Sequence, residues 1–142
     1  MVKNKLTLTE VVTRTTGMNI QTLQENEIFV FGTNLLGIHD GGAALTACLK
    51  FGAEHRVSKG PTGKCYAIPT IVKKKILIKD YVDDFIKYAK SNPDKIFLVV
   101  DIGCGSAGYK PSGIAPFFKD TILLENVHLP EIFWNVLIKK NK

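Results

Sequence analysis

One layout constrains this sequence more than any other: a run of large apolar residues, then a glycine-rich loop, then a helix pattern. It occurs first at 28–50 and again at 96–119. In each copy the apolar run is short, continuous and rich in β-branched and aromatic residues, which is typical of a strand buried on both faces. Of the 12 glycines, all but Gly17 lie between Gly32 and Gly63 or between Gly103 and Gly113.

A strand, a glycine loop and a helix N-terminus together favour a ligand site. In open α/β sheets, ligands bind beyond the carboxyl ends of the strands. A helix N-terminus offers unpaired N–H groups to anions such as phosphate, and glycines let the ligand approach the backbone closely. The alternative is that the glycines only turn the chain, and the pattern alone does not distinguish the two.

The rest of the chain alternates strand and helix patterns. We predict a strand at 65–68 ended by Pro69, and an amphipathic helix at 80–90 with Asp80 in its first turn. A short helix at 112–119 with Ser112 as its N-cap, a strand at 126–129 and a helix or strand from 133 complete the chain. This order predicts an α/β domain with a mixed sheet and helices on both faces. The length of 142 residues fits one domain, 1–142.

Composition excludes several classes of protein. No stretch approaches the roughly 18 consecutive apolar residues of a membrane helix, and no secretory signal pattern is present, so we expect no membrane partner. The three cysteines (Cys48, Cys65 and Cys104) are an odd number and form no CxxC pair, which favours reduced thiols and a cytoplasmic location. No cluster has metal-ligand spacing, and no metal or cofactor is expected.

The net charge is +6, and all but two of the 19 basic residues are lysines. A basic surface attracts polyanions, but the sequence has no arginine-rich stripe and no nucleic-acid-reading motif. The excess is therefore attributed mainly to solvated lysines, with nucleic-acid binding as a weaker alternative.

Three ordered stretches carry a family resemblance: FVFGTNLLGIHDGGAALTA, GPTGKCYAIPT, and DIGCGSAGY with SGIAPFF behind it. They resemble a family of small phage and bacterial proteins related to the macro domain, a module that binds ADP-ribose and in many members hydrolyses ADP-ribose linkages. The resemblance covers residues 27–134. It implies a macro-domain-like, three-layer α/β/α fold with a mixed central sheet.

The resemblance also implies site residues. Asn34 matches the asparagine that contacts the distal ribose, and with His39 and Asp40 it forms the candidate catalytic set. Histidine side chains can give or take a proton near neutral pH, and a carboxylate such as that of Asp40 can activate a water. The alternatives are that Asn34 caps its own turn and that Asp40 caps the following helix. The ligand-binding candidates are Gly32, Thr33, Asn34, Gly41, Gly42, Ala43, Gly103, Cys104, Gly105, Ser106, Ala107, Gly108 and Tyr109.

Two candidates in the second loop have explicit alternatives. Tyr109 either stacks on the distal ribose or packs over its own loop. Cys104 is expected to be a small buried thiol rather than a nucleophile, because no histidine adjacent in sequence activates it. Thr70, at a strand end, is expected to face the crevice.

The resemblance leaves the activity open. One hypothesis is an enzyme that hydrolyses an ADP-ribose linkage or ADP-ribose 1″-phosphate. The other is a non-catalytic binder that sequesters an ADP-ribose-type signal, as a phage protein acting against host defence would. A basic nucleic-acid-binding protein is the weaker third possibility.

Overall fold

The computed structural model describes residues 6–38, 41–105 and 107–140. His39, Asp40 and Ser106, three of the candidate site residues, lie outside these ranges. The described helices are α1 (Leu8–Thr13), α2 (Gly42–Phe51), α3 (Ile76–Ser91), α4 (Pro111–Ile114), a 3-10 helix (Ala115–Leu123) and α5 (Glu131–Lys140). The strands are β1 (Thr15–Thr16), β2 (Glu27–Asn34), β3 (Gly60–Thr62), β4 (Cys65–Ile71), β5 (Ile96–Val99) and β6 (Val127–Pro130).

In the described part of the chain the strands form one six-stranded mixed sheet in the order β1-β6-β5-β2-β4-β3. Every neighbouring pair is parallel except β3 with β4. The carboxyl ends of β5, β2 and β4 therefore lie at the same edge, here called the carboxyl edge. The predicted α/β class with a mixed sheet is confirmed.

The sheet has a hydrophobic cluster on each face. On β2, Phe29 and Phe31 pack with Ala47 and Phe51 of α2, whereas Val30 between them belongs to the cluster that includes α3, the 3-10 helix and α5. This alternation follows from the two-residue period of a strand. Helices therefore cover both faces, as predicted.

The connections define where a crevice opens. From β2 the chain passes through α2 on one face to β4, and it then returns through α3 on the other face to β5 on the far side of β2. The loops that leave β2 and β5 consequently turn towards opposite faces. In open α/β sheets, ligands bind at such a point of reversal.

Strand β4 does not stop at Pro69 as predicted but continues to Ile71. Its outer neighbour β3 pairs only with Cys65, Tyr66 and Ala67. Pro69 lies beyond β3, where one edge of β4 has no partner strand in the described part of the chain, and a missing N–H is tolerated at such an edge.

Helix α3 begins at Ile76, four residues before the predicted start. Ile78, Val82, Phe85, Ile86 and Ala89 are buried along one side, so the predicted apolar stripe is confirmed and extended by one turn. The first turn contains no acidic residue, and the N-cap is Lys75. The prediction that Asp80 lies in the first turn is therefore wrong.

The helix predicted at 112–119 is divided into two parts. Helix α4 begins at Pro111 with Lys110 as its N-cap, so Ser112 is not the cap. The chain continues as a 3-10 helix from Ala115, because Pro116 has no N–H to donate to an α-helical ladder. The C-terminal element, which the sequence predicted as either a helix or a strand, is the helix α5.

Arg14 anchors the N-terminal segment to the rest of the molecule. Its buried guanidinium donates to the carbonyl oxygens of Thr121, Ile122, Leu124 and Val127 at 2.7–3.1 Å. The guanidinium carbon lies 5.2 Å from the ring centroid of Trp134, whose Nε1 donates to the Arg14 carbonyl oxygen at 2.9 Å. Arg14 therefore fixes β1 beside β6.

The half-buried His128 on β6 predicts an acid-sensitive contribution to stability. Burial, and secondly the charge of Arg14, lower the pKa of His128 below its usual value, although Glu27 opposes this. Below about pH 6.5 the unfolded chain binds a proton at this site before the folded chain does. The free energy of unfolding therefore falls as the pH drops from about 6.5 towards the lowered pKa.

We expect His128→Gln to reduce the fall in the free energy of unfolding between about pH 7.5 and 5.5, measured by urea unfolding at several pH values in this range. His55→Gln, in an exposed loop, is the matched control. An acid slope unchanged by His128→Gln would contradict the assignment.

Candidate functional site

A cavity of about 340 Å³, here called the edge cavity, lies at the carboxyl edge. Its walls come from the end of β2 and the loop to α2, from the end of β4 and from the loop after β5. The lining residues are Gly32, Thr33, Asn34, Ile38, Gly41, Gly42, Ala43, Ala44, Thr70, Ile71, Val100, Asp101, Ile102, Gly103, Gly105 and Ala107. The two glycine loops therefore meet in one cavity.

Most of the candidate residues from the sequence line this cavity: Gly32, Thr33, Asn34, Gly41, Gly42, Ala43, Gly103, Gly105 and Ala107. Thr70 also lines it, as expected. Cys104, Gly108 and Tyr109 are not among the lining residues. The sequence analysis missed Asp101, which lies two residues after the end of β5. A polar side chain just beyond the carboxyl end of a parallel strand was the signal that could have found it.

The start of α2 forms one wall. Gly41 is the N-cap, with extended backbone (φ −163°, ψ 163°), and no side chain of the described residues caps this ten-residue helix. The first turn contains no acidic residue, so its first N–H groups have no side-chain acceptor among the described residues. The alternative that Asp40 caps this helix concerns a residue outside the described ranges. An ideal Cβ built on Gly41 meets no atom within 4 Å. Neither backbone strain nor packing demands glycine here.

The loop after β5 forms the opposite wall. It is closed by its own hydrogen bonds, from Tyr109 N to Gly103 O (2.8 Å) and from Gly108 N to Gly105 O (2.9 Å). Gly103 and Gly108 have φ values of 77° and 78°, which favour glycine. Among the residues that the structure describes, the N–H groups of Gly103, Gly105 and Ala107 have no acceptor. These three N–H groups remain available to an anion.

Tyr109 packs over this loop. Its ring lies 3.6 Å from the position of a Cβ on Gly103, and it contacts the larger hydrophobic cluster. The packing alternative is therefore confirmed for Tyr109, and its ribose contact remains a hypothesis.

Asn34 uses its carboxamide to shape the loop after β2. Its Oδ1 accepts from Leu36 N at 3.0 Å and from Ile38 N at 3.1 Å, and its Nδ2 donates to Ile38 O at 3.1 Å. The turn-capping alternative is confirmed. The residue also lines the cavity, so its contact with a ligand remains compatible with this role.

A second contact holds the same loop from behind. Gly37 has φ 67°, and a Cβ there would overlap the backbone of Arg56, whose N–H donates to Gly37 O at 2.6 Å. Arg56 itself has φ 77°, which is uncommon for a residue with a side chain. The loops at 35–38 and 54–58 are therefore held against each other by this hydrogen bond and by the close backbone contact at Gly37.

Buried threonine hydroxyls lie near the cavities. Thr33 is 5% exposed and its Oγ1 has no hydrogen-bond partner in the described part of the chain, and the same holds for Thr16 at 4%. An unsatisfied buried hydroxyl costs about 1–3 kcal/mol. Such groups are typical of a site that is completed by a ligand or by water.

The cysteine chemistry does not favour a nucleophile. Burial, followed by the charge of Asp101, raises the pKa of the Cys104 thiol. Burial also raises the pKa of Cys48, and that of Cys65 to about 12. All three cysteines are free thiols, and at neutral pH they stay protonated and weakly nucleophilic.

A larger cavity of about 590 Å³ adjoins the edge cavity and shares Gly42, Ala43, Val100 and Asp101 with it. Its remaining lining residues are Thr15, Thr16, Gly17, Met18, Asn19, Ile20, Phe29, Thr46, Pro130, Glu131 and Ile132. Its surface is mainly apolar. The two cavities together form a crevice whose glycine-lined part is the more polar and whose larger part is the more apolar, with the exposed Asp101 on the shared wall.

Within residues 6–38, 41–105 and 107–140, no group of three or more His, Cys, Asp and Glu side chains could hold a metal ion. In the same ranges no helix has the length and apolar character needed to cross a membrane.

Comparison with known proteins gives no match to this chain, whether by protein-family model, by curated protein or by solved structure. Its function therefore has to be inferred from the geometry of the crevice.

Asn34→Ala is expected to destabilise the loop and weaken ligand binding, because it removes three hydrogen bonds worth about 1 kcal/mol each. Asn34→Asp keeps the two bonds accepted by Oδ1 but places a carboxylate oxygen against the Ile38 carbonyl oxygen, so its stability should fall between those of the alanine variant and the wild type. Thermal unfolding of both variants checks this. Equal unfolding temperatures for the alanine variant and the wild type would show that the carboxamide does not hold the loop.

Proposed function

We propose that this protein is a macro-domain-like module that binds ADP-ribose or a related nucleotide in the joined cavities. The observation that carries the proposal is the meeting of two glycine loops in one cavity beside a larger apolar one. A nucleotide with a flat base at one end and a diphosphate in its middle has the same division between apolar and anionic parts.

The diphosphate is assigned to the edge cavity. The N-terminus of α2, which no side chain of the described residues caps, provides N–H groups and the positive end of the helix dipole. Gly103, Gly105 and Ala107, whose N–H groups have no acceptor among the described residues, line the same cavity from the loop after β5. Glycine at position 41 leaves room for phosphate oxygens to approach the backbone.

The adenosine is assigned to the larger cavity. Phe29 and Ile20 provide apolar surface there, and the cavity volume lies within the range of small-molecule sites. Asp101 is an acceptor on the wall between the two cavities, suited to ribose hydroxyls or to the amino group of the base. Its negative charge disfavours a phosphate at the same point, so the diphosphate belongs on the glycine side.

The distal ribose then lies at the Asn34 end of the edge cavity. Hydrolysis requires a group that activates water there, and His39 and Asp40 are the candidates from the sequence. Both lie outside the described residues, so the crevice supports binding more directly than catalysis. A non-catalytic binder that sequesters an ADP-ribose-type signal, in a phage acting against host defence, is the second candidate, because the Asn34 carboxamide is already occupied in its own loop.

Calorimetric titration tests whether the protein binds ADP-ribose, which both the enzyme and the non-catalytic binder require. We expect one ADP-ribose to bind per chain, and AMP and ribose 5-phosphate each to bind at least about tenfold more weakly, a difference of about 1.4 kcal/mol. Absence of heat with ADP-ribose up to millimolar concentrations would exclude both forms of the proposal.

Turnover distinguishes the enzyme from the binder. For an enzyme, ADP-ribose 1″-phosphate or an ADP-ribosylated substrate is consumed, and Asp40→Asn or His39→Gln lowers kcat while ADP-ribose binding persists. Tight binding without turnover of any of these substrates establishes the binder.

A further inference from the structure

We propose that a third cavity, separate from the joined cavities, binds a zwitterion of amino-acid size with an apolar side chain. This cavity, here called the hairpin cavity, has a volume of about 230 Å³ and lies between α3 and the antiparallel strands β3 and β4. Its lining residues are Lys59, Gly60, Tyr66, Ala67, Tyr81 and Asp84. None of these six lines either of the other two cavities, so the hairpin cavity is a site independent of the proposed nucleotide site.

Two opposite charges line the hairpin cavity without neutralising each other. Lys59 and Asp84 are both exposed, and neither forms an ion pair with any residue that the structure describes. Elsewhere on α3, by contrast, Lys79 pairs with Asp83 at 2.7 Å. An ammonium group and a carboxylate that line one cavity unpaired are complementary to a ligand that carries both a carboxylate and an ammonium group.

Tyr81 orients the positive side of the cavity. The Lys59 Nζ lies 6.0 Å from the centroid of the Tyr81 ring, at the outer limit of a cation–π contact. Such a contact orients the ammonium group but leaves its charge and its N–H donors to a ligand. Tyr81 and Asp84 are three residues apart in α3, a spacing that places them on the same face of the helix. The two charged groups are therefore close enough to hold the two ends of one small molecule.

Tyr66 provides a hydroxyl without a partner. The residue is only 6% exposed, and its ring centroid lies 5.2 Å from that of Phe85 and 5.1 Å from that of Tyr88. Its hydroxyl makes no hydrogen bond within the described part of the chain, although buried tyrosine hydroxyls usually have a partner. Burial, followed by the charge of Asp84, raises the pKa of Tyr66 to about 12, so the hydroxyl stays protonated at neutral pH. It is thus a hydrogen-bond donor for a ligand carboxylate.

The size and the aromatic walls of the cavity define the rest of the ligand. Sites for drug-sized molecules have volumes of about 300–1,000 Å³, so a cavity of about 230 Å³ suits a smaller molecule. The rings of Tyr66 and Tyr81 provide apolar surface beside the charges and favour contact with an aromatic or aliphatic side chain. A free amino acid with such a side chain matches the charges, the apolar surface and the volume together.

The test compares three compounds that share a phenyl group. L-Phenylalanine carries both charges, phenethylamine carries only the ammonium group, and hydrocinnamate carries only the carboxylate. Binding is measured by NMR titration of the isotope-labelled protein, in which the amide signals of Gly60 and Ala67 report on this cavity. We expect L-phenylalanine to bind at least about tenfold more tightly than either of the other two compounds.

Substitutions separate the two charges. Lys59→Gln should weaken the binding of L-phenylalanine at least about tenfold and leave that of phenethylamine unchanged. Asp84→Asn should weaken L-phenylalanine equally and leave hydrocinnamate unchanged. Lys119→Gln and Asp94→Asn are the matched controls, because they remove the same charges from exposed positions outside the cavity, and they should leave the affinity for L-phenylalanine unchanged.

Tyr66→Phe separates a binding role of the hydroxyl from a structural one. The variant should bind L-phenylalanine more weakly than the wild type. Its unfolding temperature should stay the same or rise, because the hydroxyl makes no hydrogen bond to the described residues that the substitution could remove. A fall in unfolding temperature with unchanged binding would show that the hydroxyl is structural and would contradict its assigned contact.

No change of the Gly60 and Ala67 signals with L-phenylalanine at millimolar concentrations would overturn the inference. Equally tight binding of phenethylamine would overturn it in favour of a site for cations, and equally tight binding of hydrocinnamate in favour of a site for anions. Undiminished binding by both Lys59→Gln and Asp84→Asn would also overturn it. ADP-ribose binding should be the same in these variants as in the wild type, so the proposed function is tested separately.

Discussion

Replacing Gly41 with aspartate is expected to make the protein more stable and to abolish the proposed binding of ADP-ribose. Gly41 is the N-cap of α2 in extended backbone, where no side chain of the described residues caps the helix. Aspartate is among the best N-cap residues, so its side chain should add a few tenths of a kcal/mol over glycine, and its charge should add about 0.3–1 kcal/mol through the helix dipole. No atom lies within 4 Å of the new Cβ, so the fold accommodates the change.

The same carboxylate would occupy the place assigned to the diphosphate and repel it. Gly41→Ser offers a comparable cap without the charge, and should therefore raise stability while reducing affinity less. Gly113→Ala is a control outside both cavities. Calorimetric titration and thermal unfolding of each variant give the two quantities. Undiminished ADP-ribose binding by Gly41→Asp would exclude a phosphate at this helix N-terminus.

The largest expected effect on stability comes from Arg14→Ala. The substitution removes the guanidinium donor from four carbonyl oxygens and the cation from the face of Trp134. The oxygens of Thr121 and Leu124 keep a backbone N–H donor, whereas those of Ile122 and Val127 lose the donor shown for them. Buried acceptors that lose a charged donor cost about 1–3 kcal/mol each, so we expect a total loss of at least about 3 kcal/mol. For a chain of this size this lowers the unfolding temperature by about 10 °C.

Arg56→Ala is the matched control, because it removes the other arginine from an exposed position and should change stability by less than about 0.5 kcal/mol. Arg14→Lys keeps the charge but not the planar guanidinium with its several N–H donors, so its free energy of unfolding should lie between those of the alanine variant and the wild type. Because Arg14 holds β1 in place and Thr15 and Thr16 line the larger cavity, Arg14→Ala should also weaken ADP-ribose binding. A loss of stability no greater than that of Arg56→Ala would contradict the anchoring role.

The edge cavity could be predicted because its cause is local. The apolar runs at 28–31 and 96–100 are too short and too continuous to be anything but buried strands, and each is followed by glycines. Parallel strands place their following loops at one edge, so the meeting of Asn34 with the 103–107 loop follows from sequence and topology alone.

The larger cavity and the Arg14 anchor could not be predicted in this way. Arg14 bonds to residues 107–113 positions away, and nothing near it in sequence marks those carbonyls as acceptors. The cavity combines β1, the end of β5 and the start of α5, which only tertiary packing brings together. The start of α3 was missed for a simpler reason, because three consecutive lysines resemble an exposed loop and concealed the buried Ile78.

The edge of β4 that faces away from β2 affects how this protein behaves at high concentration. Exposed strand backbones pair readily with those of other molecules and so nucleate aggregates. Here the three residues of β3 pair with the first half of this edge of β4. In the remaining half, Pro69 has no N–H to donate to a further strand. The protein therefore limits the length of free backbone on which a second copy could add a strand.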